Sequence, residues 1–342
     1  MHISNSLLDA QVVIATSIIG AAGLGYGLKS LERSLGEATT VKMGIMAAFI
    51  FAAQMVNFPI GIFPASGHLL GGVLAAVMLG PWGGAVVIAA VLIVQCLLFG
   101  DGGLMALGAN FLNMGLVGAV IGFAIYTAIR RLIGGQNGIL LGAMFAAWLS
   151  VVLSAGAFSI ELAFSHRGPG FIRVLSLMTL VHAVIGVGEA LITGLVIRFI
   201  LLSRPDLIDG LESETGGQGK RTEWAPVAAS GFAIALAVGI FAAPFASSYS
   251  DGLEYVGGPD QLHFASTEDK SRPAIAPLLP DYQFPALERI SLKVATAVAG
   301  AIGTVVVFGL GLGLAWSMDR LKTGRQALVL AGADAGDARD EP

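Results

Sequence analysis

The sequence predicts an all-α polytopic membrane protein with about nine transmembrane helices. Hydrophobic residues make up 55% of its 342 residues and charged residues only 12%, whereas charged residues account for about a quarter of an ordinary soluble domain. The mean hydropathy is +0.80, and several apolar runs reach the roughly 20 residues that a helix needs to cross a bilayer. We therefore expect a multi-pass protein of the cell (inner) membrane.

Nine apolar segments are predicted as helices, and two of them are short. In chain order they cover residues 9–30, 43–57, 68–80, 82–99, 103–129, 137–163, 171–202, 224–246 and 290–317. The short second and third segments flank residues 58–67, where prolines and glycines forbid a regular helix. Irregular backbone at membrane depth is tolerated only where protein buries it or where it lines a cavity. A binding site is therefore expected at this break.

The distribution of basic residues predicts the orientation of these helices. With the amino terminus outside, most of the 19 lysines and arginines lie in inner segments, as the positive-inside rule requires. An odd number of spans then places the carboxyl terminus inside. No basic region or small-residue cleavage site precedes the first span, so we expect Met1 to remain the first residue.

Composition divides the chain into four parts. Residues 1–204 form a seven-helix metal-binding unit, and the polar, glycine-rich residues 205–223 form a cytoplasmic linker. Residues 224–320, here called the accessory unit, carry two further helices around an external loop at 247–288. Residues 321–342 form a cytoplasmic tail, whose small and acidic final stretch predicts disorder.

The first two residues, Met1 and His2, carry the strongest chemical signal. A free amino terminus followed by histidine can chelate a metal through the amine, the His2 amide and the His2 imidazole. The amide joins only if it loses its proton, which Ni²⁺ or Cu²⁺ can force, and these ions also favour planar nitrogen coordination. His68, in the polar break, can supply a fourth nitrogen. Each histidine alone is typical of a solvated polar group, but their common position on the outer side favours a metal site.

Several polar residues near this break are candidates for supporting the site. Asn57 and Ser66 flank it and either orient the imidazoles or cap the second and third helices. Asp101, Asn110 and Asn113 are predicted near the same outer mouth of the helix bundle. We expect these three to support the site rather than to bind the ion.

His182 and Glu189 form a second polar pair, two turns apart on one face of an apolar helix. Ionisable groups inside a membrane tend to mark function, so both an ion path and a structural contact remain open. The pair lacks the His-Glu-x-x-His spacing of zinc proteases. In the external loop, the carboxylates and imidazole of residues 250–254 and 260–263 predict a solvated loop that can attract cations.

Two further patterns concern partner proteins. Small residues four apart, such as Ala21 and Gly25, permit close helix approach, either within the chain or to a partner subunit. Residues 216–222 superficially resemble a phosphate-binding loop, but Glu214 replaces its first glycine and Arg221 follows the lysine. ATP hydrolysis is therefore expected on another protein.

Several blocks of the sequence resemble the substrate-binding component of nickel/cobalt energy-coupling-factor transporters. These blocks are Met1-His2 and residues 63–72, 80–83, 99–110 and 182–193. Residues 250–254, Ser-Asp-Gly-Leu-Glu, resemble the small accessory subunit of the same systems, which usually has proline where this chain has Ser250. The chain therefore resembles a natural fusion of the two proteins.

The resemblance implies a ligand set and partners. It implies that Met1 (amine), His2 (amide and imidazole) and His68 (imidazole) bind the ion in a planar four-nitrogen site. It also implies that separate ATPase subunits hydrolyse ATP and that a transmembrane scaffold subunit couples them to this chain. Residues 3–6, Ile-Ser-Asn-Ser, depart from the usual family continuation, which changes the expected path of the loop but leaves the ligands intact.

These features predict a non-enzymatic, substrate-specific component of an ATP-driven nickel importer. Ni²⁺ is the cargo, and neither an intrinsic cofactor nor a nucleic-acid partner is expected. The wording around His68 resembles the nickel branch of the family more than the cobalt branch, with Co²⁺ import as the alternative. Two other classes stay open: an intramembrane metalloenzyme that uses His182 and Glu189, and a carrier driven by an ion gradient.

Overall fold

Helices form almost all of the computed structural model, which describes residues 1–5, 7–211, 223–264, 276–289 and 291–337. In chain order they are α1 (Ala10–Leu31), α2 (Glu37–Gln54), α3 (Gly72–Val94), α4 (Leu107–Asn110), α5 (Gly122–Ile133), α6 (Gly135–Phe164), α7 (Phe171–Ser203), α8 (Trp224–Ala237), α9 (Gly252–Gly257), α10 (Pro285–Glu288) and α11 (Leu292–Asp337). Wider π-helical turns continue three of them, at Gln95–Phe99 after α3, Phe111–Ile121 after α4 and Val238–Ala242 after α8. Short 3-10 turns lie at Pro205–Leu207, Ala243–Phe245 and Pro280–Tyr282.

Within the described residues, seven helices are long and apolar enough to cross a membrane. They span Ala10–Ser34, Gly72–Phe99, Leu107–Ile133, Gly135–Phe164, Phe171–Ser203, Trp224–Phe245 and Leu292–Thr323. This finding confirms the all-helical, multi-pass class. The count differs from the predicted nine for two reasons. The predicted helix 43–57 is α2, which is not among the helices that are long and apolar enough to cross a membrane. The predicted helices 68–80 and 82–99 are joined in α3.

The two halves of α3 are separated by a sharp break at Gly80. This residue has φ 74° and ψ 168°, a backbone conformation that glycine adopts without steric cost, and Pro81 after it cannot continue a helix from the preceding turn. A Cβ atom on Gly84 would lie 2.7 Å from the backbone nitrogen of Ala76. Residues eight apart in a straight helix are separated by about 12 Å, so α3 folds back on itself at Gly80.

The buried centre of the bundle is α3, and the helices of the accessory unit pack on α2. Nearly every side chain of α3 is buried. Helix α2 lies between α3 and the two helices α8 and α11. Its Gly44 contacts Leu312 of α11, and its Ile45 contacts Gly231 of α8. The accessory unit therefore attaches directly beside the helix that leads into the predicted break.

That break contains a short antiparallel hairpin, in agreement with the predicted interruption. Strand β1 (Phe58–Pro59) pairs with β2 (Ser66–Gly67). The backbone N–H groups of Leu70 and Gly71 then donate to the Glu189 carboxylate of α7 at 2.6 and 2.9 Å. This carboxylate fixes the turn between His68 and the start of α3.

Only part of the predicted linker lies within the described residues. Residues 212–222, which include most of the predicted linker 205–223 and the loop resembling a phosphate-binding motif, lie outside the described residues. Before them, Ile208 is buried and the Asp209 N–H donates to Val77 at 3.0 Å. Helix α11 continues to Asp337, into the tail whose composition predicts disorder, because its many alanines favour helix.

Candidate metal centre

The amino terminus is buried among the loops at one end of the bundle. Met1 and Ile3 are 3% and 0% exposed. The Ile3 N–H donates to Asn110 Oδ1 at 2.8 Å, and Asn110 Nδ2 donates back to the Ile3 carbonyl at 3.1 Å. The same carbonyl accepts the Gly103 N–H at 2.8 Å. These bonds hold the terminal segment in a defined path, which gives Asn110 the supporting position predicted from the sequence.

The structure brings the three predicted ligand residues together. The Met1 amine is hydrogen-bonded to His68 Nε2. The His2 and His68 rings are stacked, with centroids 5.2 Å apart and planes 20° from parallel. His68 Nδ1 lies 3.0 Å from the Leu69 carbonyl, to which it donates its proton, so Nε2 has its lone pair toward the terminal amine.

Burial favours the uncharged form of both imidazoles. It lowers the pKa of His2, although the Asp101 carboxylate acts in the opposite direction. Burial and the adjacent terminal ammonium together hold the pKa of His68 well below its usual value. Neutral rings retain the lone pairs that a metal ion needs. The electrostatics of the pocket therefore suit metal binding better than binding of an anion.

A line of polar side chains connects His2 to the backbone after His68. His2 Nδ1 lies 3.2 Å from Asp101 Oδ1, and His2 Nε2 lies 3.2 Å from Gln95 Oε1. Gln95 Nε2 donates to Gln54 Oε1 at 2.7 Å, and Gln54 Nε2 donates to the Leu70 carbonyl at 2.8 Å. The two glutamines were missed by the sequence analysis. Their presence in apolar helices, where polar groups need partners, was the signal that could have found them.

The accessory unit reaches the site through Asp251, which the sequence analysis did not predict as a site residue. Asp251 Oδ2 lies 2.9 Å from the Met1 amine and 4.0 Å from His68 Nε2. Although burial favours the protonated acid, the ammonium holds the pKa of the Asp251 carboxyl well below its usual range. The resemblance of residues 250–254 to an accessory subunit pointed to this segment but gave it no role.

Backbone contacts fix the accessory segment against the hairpin. Ser66 and Asp251 form a parallel bridge, in which the Ser66 N–H donates to the Ser250 carbonyl at 2.8 Å. The Ser66 hydroxyl donates to the Tyr249 carbonyl at 2.7 Å. Neither role proposed for Ser66, orienting an imidazole or capping a helix, is therefore correct. The carbonyl of Asn57 likewise accepts the Ser247 N–H at 2.8 Å.

The other predicted polar residues lie beside the site or away from it. His182 Nδ1 bonds to the Met178 carbonyl at 2.8 Å, and His182 lines a cavity of about 10 Å³ with Met1, His68 and Asp251, roughly the space of one water. The Asn113 amide donates to Glu161 at 3.0 Å and not to a predicted ligand residue.

Side chains alone do not form a metal site here. Across the part of the chain that the structure describes, no group of three or more histidine, cysteine, aspartate or glutamate side chains is placed to hold an ion. A site built around His68 and His2 therefore needs backbone donors. The terminal amine of Met1, which is hydrogen-bonded to His68 Nε2, is one such donor.

Comparison with known proteins identifies two regions of the chain. The sequence pattern of CbiM, the cobalt uptake substrate-specific transmembrane region, matches residues 2–207. The chain belongs to the CbiM family. A PDGLE domain follows at residues 225–320. The predicted relationship to the nickel/cobalt transport components is thereby confirmed, as are the membrane location and the non-enzymatic transport role.

Relatives of this CbiM-family chain include proteins of the same two-part composition. A protein of Archaeoglobus fulgidus that carries the name of a fused nickel transport protein, NikMN, is 36% identical over 319 residues, covering 92% of this chain and 98% of the relative. The fused nickel transport protein NikMN of Rhodobacter capsulatus is 29% identical over 67% of this chain and 70% of its own length. The cobalt transport protein CbiM 1 of Pelobacter propionicus is 29% identical over 64% and 98%.

Two crystal structures of transition metal transporters share the fold of the first part of the chain. A truncated transporter matches with a TM-score of 0.54 and 30% identity, covering 59% of this chain and 99% of that structure. A second matches with a TM-score of 0.54 and 29% identity, covering 63% and 98%. The chain therefore shares its helical fold with proteins described as transition metal transporters.

Proposed function

We propose that this chain captures Ni²⁺ for an ATP-driven importer, with Met1, His2 and His68 as the ligands. The observation that carries the proposal is the contact of the buried Met1 amine with His68 Nε2, beneath the stacked His2 ring. With this contact, the His2 amide and one ring nitrogen of each histidine would complete a set of four nitrogen ligands. Two of the most similar relatives are named as nickel transport proteins.

The chemistry of these donors favours Ni²⁺ over the common cellular cations. The ammonium of Met1 and the amide of His2 each lose a proton when they bind the ion, so loading releases two protons. Nickel(II) is well suited to a planar arrangement of nitrogen ligands, whereas Mg²⁺ and Ca²⁺ prefer oxygen. The His2 ring nitrogens lie against Asp101 and Gln95, so the ring must exchange one of these contacts to bind the ion.

Cobalt(II) is the alternative cargo. The matching family is described by cobalt uptake, and two relatives named for cobalt match 61% and 64% of the chain. The relative that matches 92% of the chain, both parts together, is named for nickel. The fused architecture therefore supports nickel as the first choice.

The proposal includes a membrane arrangement. The seven apolar helices become nine membrane-embedded segments when α2 is added and the two arms of α3 are counted separately. With the amino terminus outside and the carboxyl terminus inside, the site faces the extracytoplasmic side. The proposed parts are the metal-binding unit 1–204, the linker 205–223, the accessory unit 224–320 and the tail 321–342. Separate ATPase subunits and a transmembrane scaffold subunit would supply the energy and couple it to this chain.

Calorimetry on the purified full chain tests the central claim. Protein that begins at Met1 is titrated with Ni²⁺ and Co²⁺, beside protein with one extra residue before Met1. We expect the native chain to bind one Ni²⁺ and the extended chain to bind none, because the extension converts the terminal amine into an amide. Equal binding by both chains would reject the terminal chelate and direct attention to His182 and Glu189. Uptake into liposomes by this chain alone would instead favour a gradient-driven carrier.

A further inference from the structure

The contact between Asp251 and the Met1 amine joins two parts of the chain that are far apart in sequence. The carboxylate belongs to the accessory unit, and the amine belongs to the proposed metal site. Oδ2 of Asp251 lies 2.9 Å from the amine, and the side chain is only 15% exposed. In so little water, a charge of either sign needs a partner close by. The accessory unit therefore supplies the negative charge of a buried ion pair.

We propose that Asp251 is the counter-ion of the metal-loaded site, supplied by the accessory unit. This inference rests on the proposed chelate of Met1, His2 and His68. Before loading, the site carries the single positive charge of the ammonium. After loading, the two positive charges of Ni²⁺ are reduced to one by the ionised His2 amide, and the amine and both imidazoles are neutral. One carboxylate therefore balances the site in both states, and the accessory unit can stay docked while the ion enters.

The two oxygens of the Asp251 carboxylate have different partners. Oδ1 accepts the Glu254 N–H at 2.9 Å and so caps helix α9. This bond leaves Oδ2 directed at the Met1 amine. The bridge to Ser66 fixes the backbone of the same residue. The carboxylate is thus oriented by its own helix and strand contacts and does not depend on the ion for its position.

The residue after Asp251 explains how the backbone approaches so closely. A Cβ atom on Gly252 would lie 2.5 Å from Ile185 Cδ1 and 3.0 Å from His182 Cε1. Only glycine fits this space against α7 without displacing those side chains. The Asp-Gly order of residues 251 and 252 therefore matches a carboxylate that has to reach the site and a backbone that has to pass beside it.

A second carboxylate near the site does not take over this role. Asp101 lies against the His2 ring, 3.2 Å from Nδ1, and its other oxygen accepts the Tyr282 hydroxyl at 2.5 Å. Its side chain is 28% exposed, nearly twice the exposure of Asp251. Asp101 is also directed at the His2 imidazole, whereas Asp251 is directed at the terminal amine. The two carboxylates therefore differ in what they stabilise.

Loss of the counter-ion should harm the loaded state more than the empty one. A free chain end whose ammonium has no partner can move out into water. Once Ni²⁺ ties the amine to His2 and His68, the positive charge can no longer leave the pocket. Removing the Asp251 charge is therefore expected to weaken Ni²⁺ binding at least about tenfold, as for one partner of a buried charge pair.

The substitution Asp251→Asn tests the inference in the full-length chain with its native Met1. Asparagine keeps the shape and the cap on α9 but removes the charge. Asp260→Asn is the matched control, because it makes the same substitution at an exposed residue of the accessory unit. Both variants and the unaltered chain are titrated with Ni²⁺ by calorimetry, and the visible absorption of bound Ni²⁺ is recorded at saturation.

Support requires an affinity at least tenfold lower in Asp251→Asn, unchanged affinity in Asp260→Asn, and an unchanged Ni²⁺ absorption band in both. Equal affinity in all three chains overturns the counter-ion role while the proposed chelate stands. A shifted absorption band in Asp251→Asn also overturns it, because the carboxylate would then be a ligand of the ion. Failure of the unaltered chain to bind Ni²⁺, or unchanged binding after extension before Met1, rejects the proposed function itself.

A melting temperature within a few degrees of the unaltered chain excludes misfolding of the Asp251→Asn variant. Asp251→Glu, which keeps the charge, serves as a second variant and is expected to bind Ni²⁺ more tightly than Asp251→Asn.

Discussion

The imidazoles of His2 and His68 lie face to face, with ring centroids 5.2 Å apart and planes 20° from parallel. One ring belongs to the chain terminus and the other to the turn that follows the β-hairpin. Each is held from its own side, His68 by the Leu69 carbonyl and His2 by Gln95 and Asp101. Each ring therefore has its own orienting contacts in addition to the stacking between the two rings.

Replacement of His68 by alanine should abolish tight Ni²⁺ binding. The substitution removes the nitrogen that faces the terminal amine. Loss of a residue that merely supports a ligand costs about 10–100-fold in metal affinity, so loss of a ligand should cost more than about 100-fold. Calorimetric titration of the purified variant measures this directly. His166→Ala is the matched control, because His166 is exposed and lies outside the site, and its Ni²⁺ affinity should equal that of the unaltered chain.

Glu189→Gln should lower both stability and Ni²⁺ affinity. The carboxylate accepts the N–H groups of Leu70 and Gly71 in the turn after His68. A hydrogen bond to a charged acceptor contributes about 1.5–3 kcal/mol, and glutamine has only one acceptor oxygen to offer two donors. We expect the free energy of unfolding to fall by about 2 kcal/mol, with weaker metal binding because His68 is less well held.

Denaturant unfolding in detergent, with and without Ni²⁺, checks this expectation. Glu37→Gln, at the exposed first turn of α2, is the control for loss of a glutamate. If Glu189→Gln unfolds at the same denaturant concentration as the unaltered chain, the carboxylate does not hold the turn.

The sequence was sufficient to predict the helices, the hairpin break and the meeting of His2 with His68. These features follow from apolar runs, from proline and glycine positions, and from the ability of two histidines and a free amine to bind one metal ion through nitrogen. The position of Asp251 was not predictable in the same way. A carboxylate in a long polar loop is usually solvated, and its burial here depends on the docking of Ser66 onto residues 249–251.

Other differences have the same origin in tertiary contacts. Ser66 was expected to orient an imidazole or to cap a helix, but its hydroxyl donates to the Tyr249 carbonyl. Asn113 was expected at the site, but the π-helical turns that follow α4 carry it to Glu161. No short-range pattern distinguishes these partners, because residues distant in the chain supply them.

Gly84→Ala should destabilise the folded chain, whereas Gly25→Ala should not. A Cβ atom at position 84 would meet the Ala76 backbone nitrogen at 2.7 Å, and backbone in the buried centre of the bundle cannot move aside. Overpacking of this kind costs about 1–3 kcal/mol. A Cβ atom at Gly25, in α1, meets nothing within 4 Å, and alanine is favoured over glycine in a helix by up to about 1 kcal/mol. Thermal unfolding should therefore separate the two variants in opposite directions; equal melting temperatures would contradict the fold-back of α3 at Gly80.

Tyr282→Phe should weaken Ni²⁺ binding without altering the packing of the accessory unit. Burial and the nearby Asp101 carboxylate raise the pKa of Tyr282 well above its usual value, so the hydroxyl stays protonated and donates to Asp101 at 2.5 Å. Asp101 in turn contacts the His2 ring. Phenylalanine keeps the ring stacked on Phe99, whose centroid is 4.7 Å away, and removes only the hydroxyl.

The expected loss of Ni²⁺ affinity is about 3- to 10-fold, smaller than for a direct partner of a ligand, because Tyr282 acts on His2 through Asp101 and not by direct contact. Tyr255→Phe is the matched control, since that tyrosine also lies in the accessory unit but packs its ring against Phe63. Calorimetry on both variants decides the matter. Equal affinities would mean that Asp101 orients His2 without help from the accessory unit. A loss confined to Tyr282→Phe would mean that the accessory unit acts on both sides of the site, through Asp251 at the amine and through Tyr282 at the imidazole.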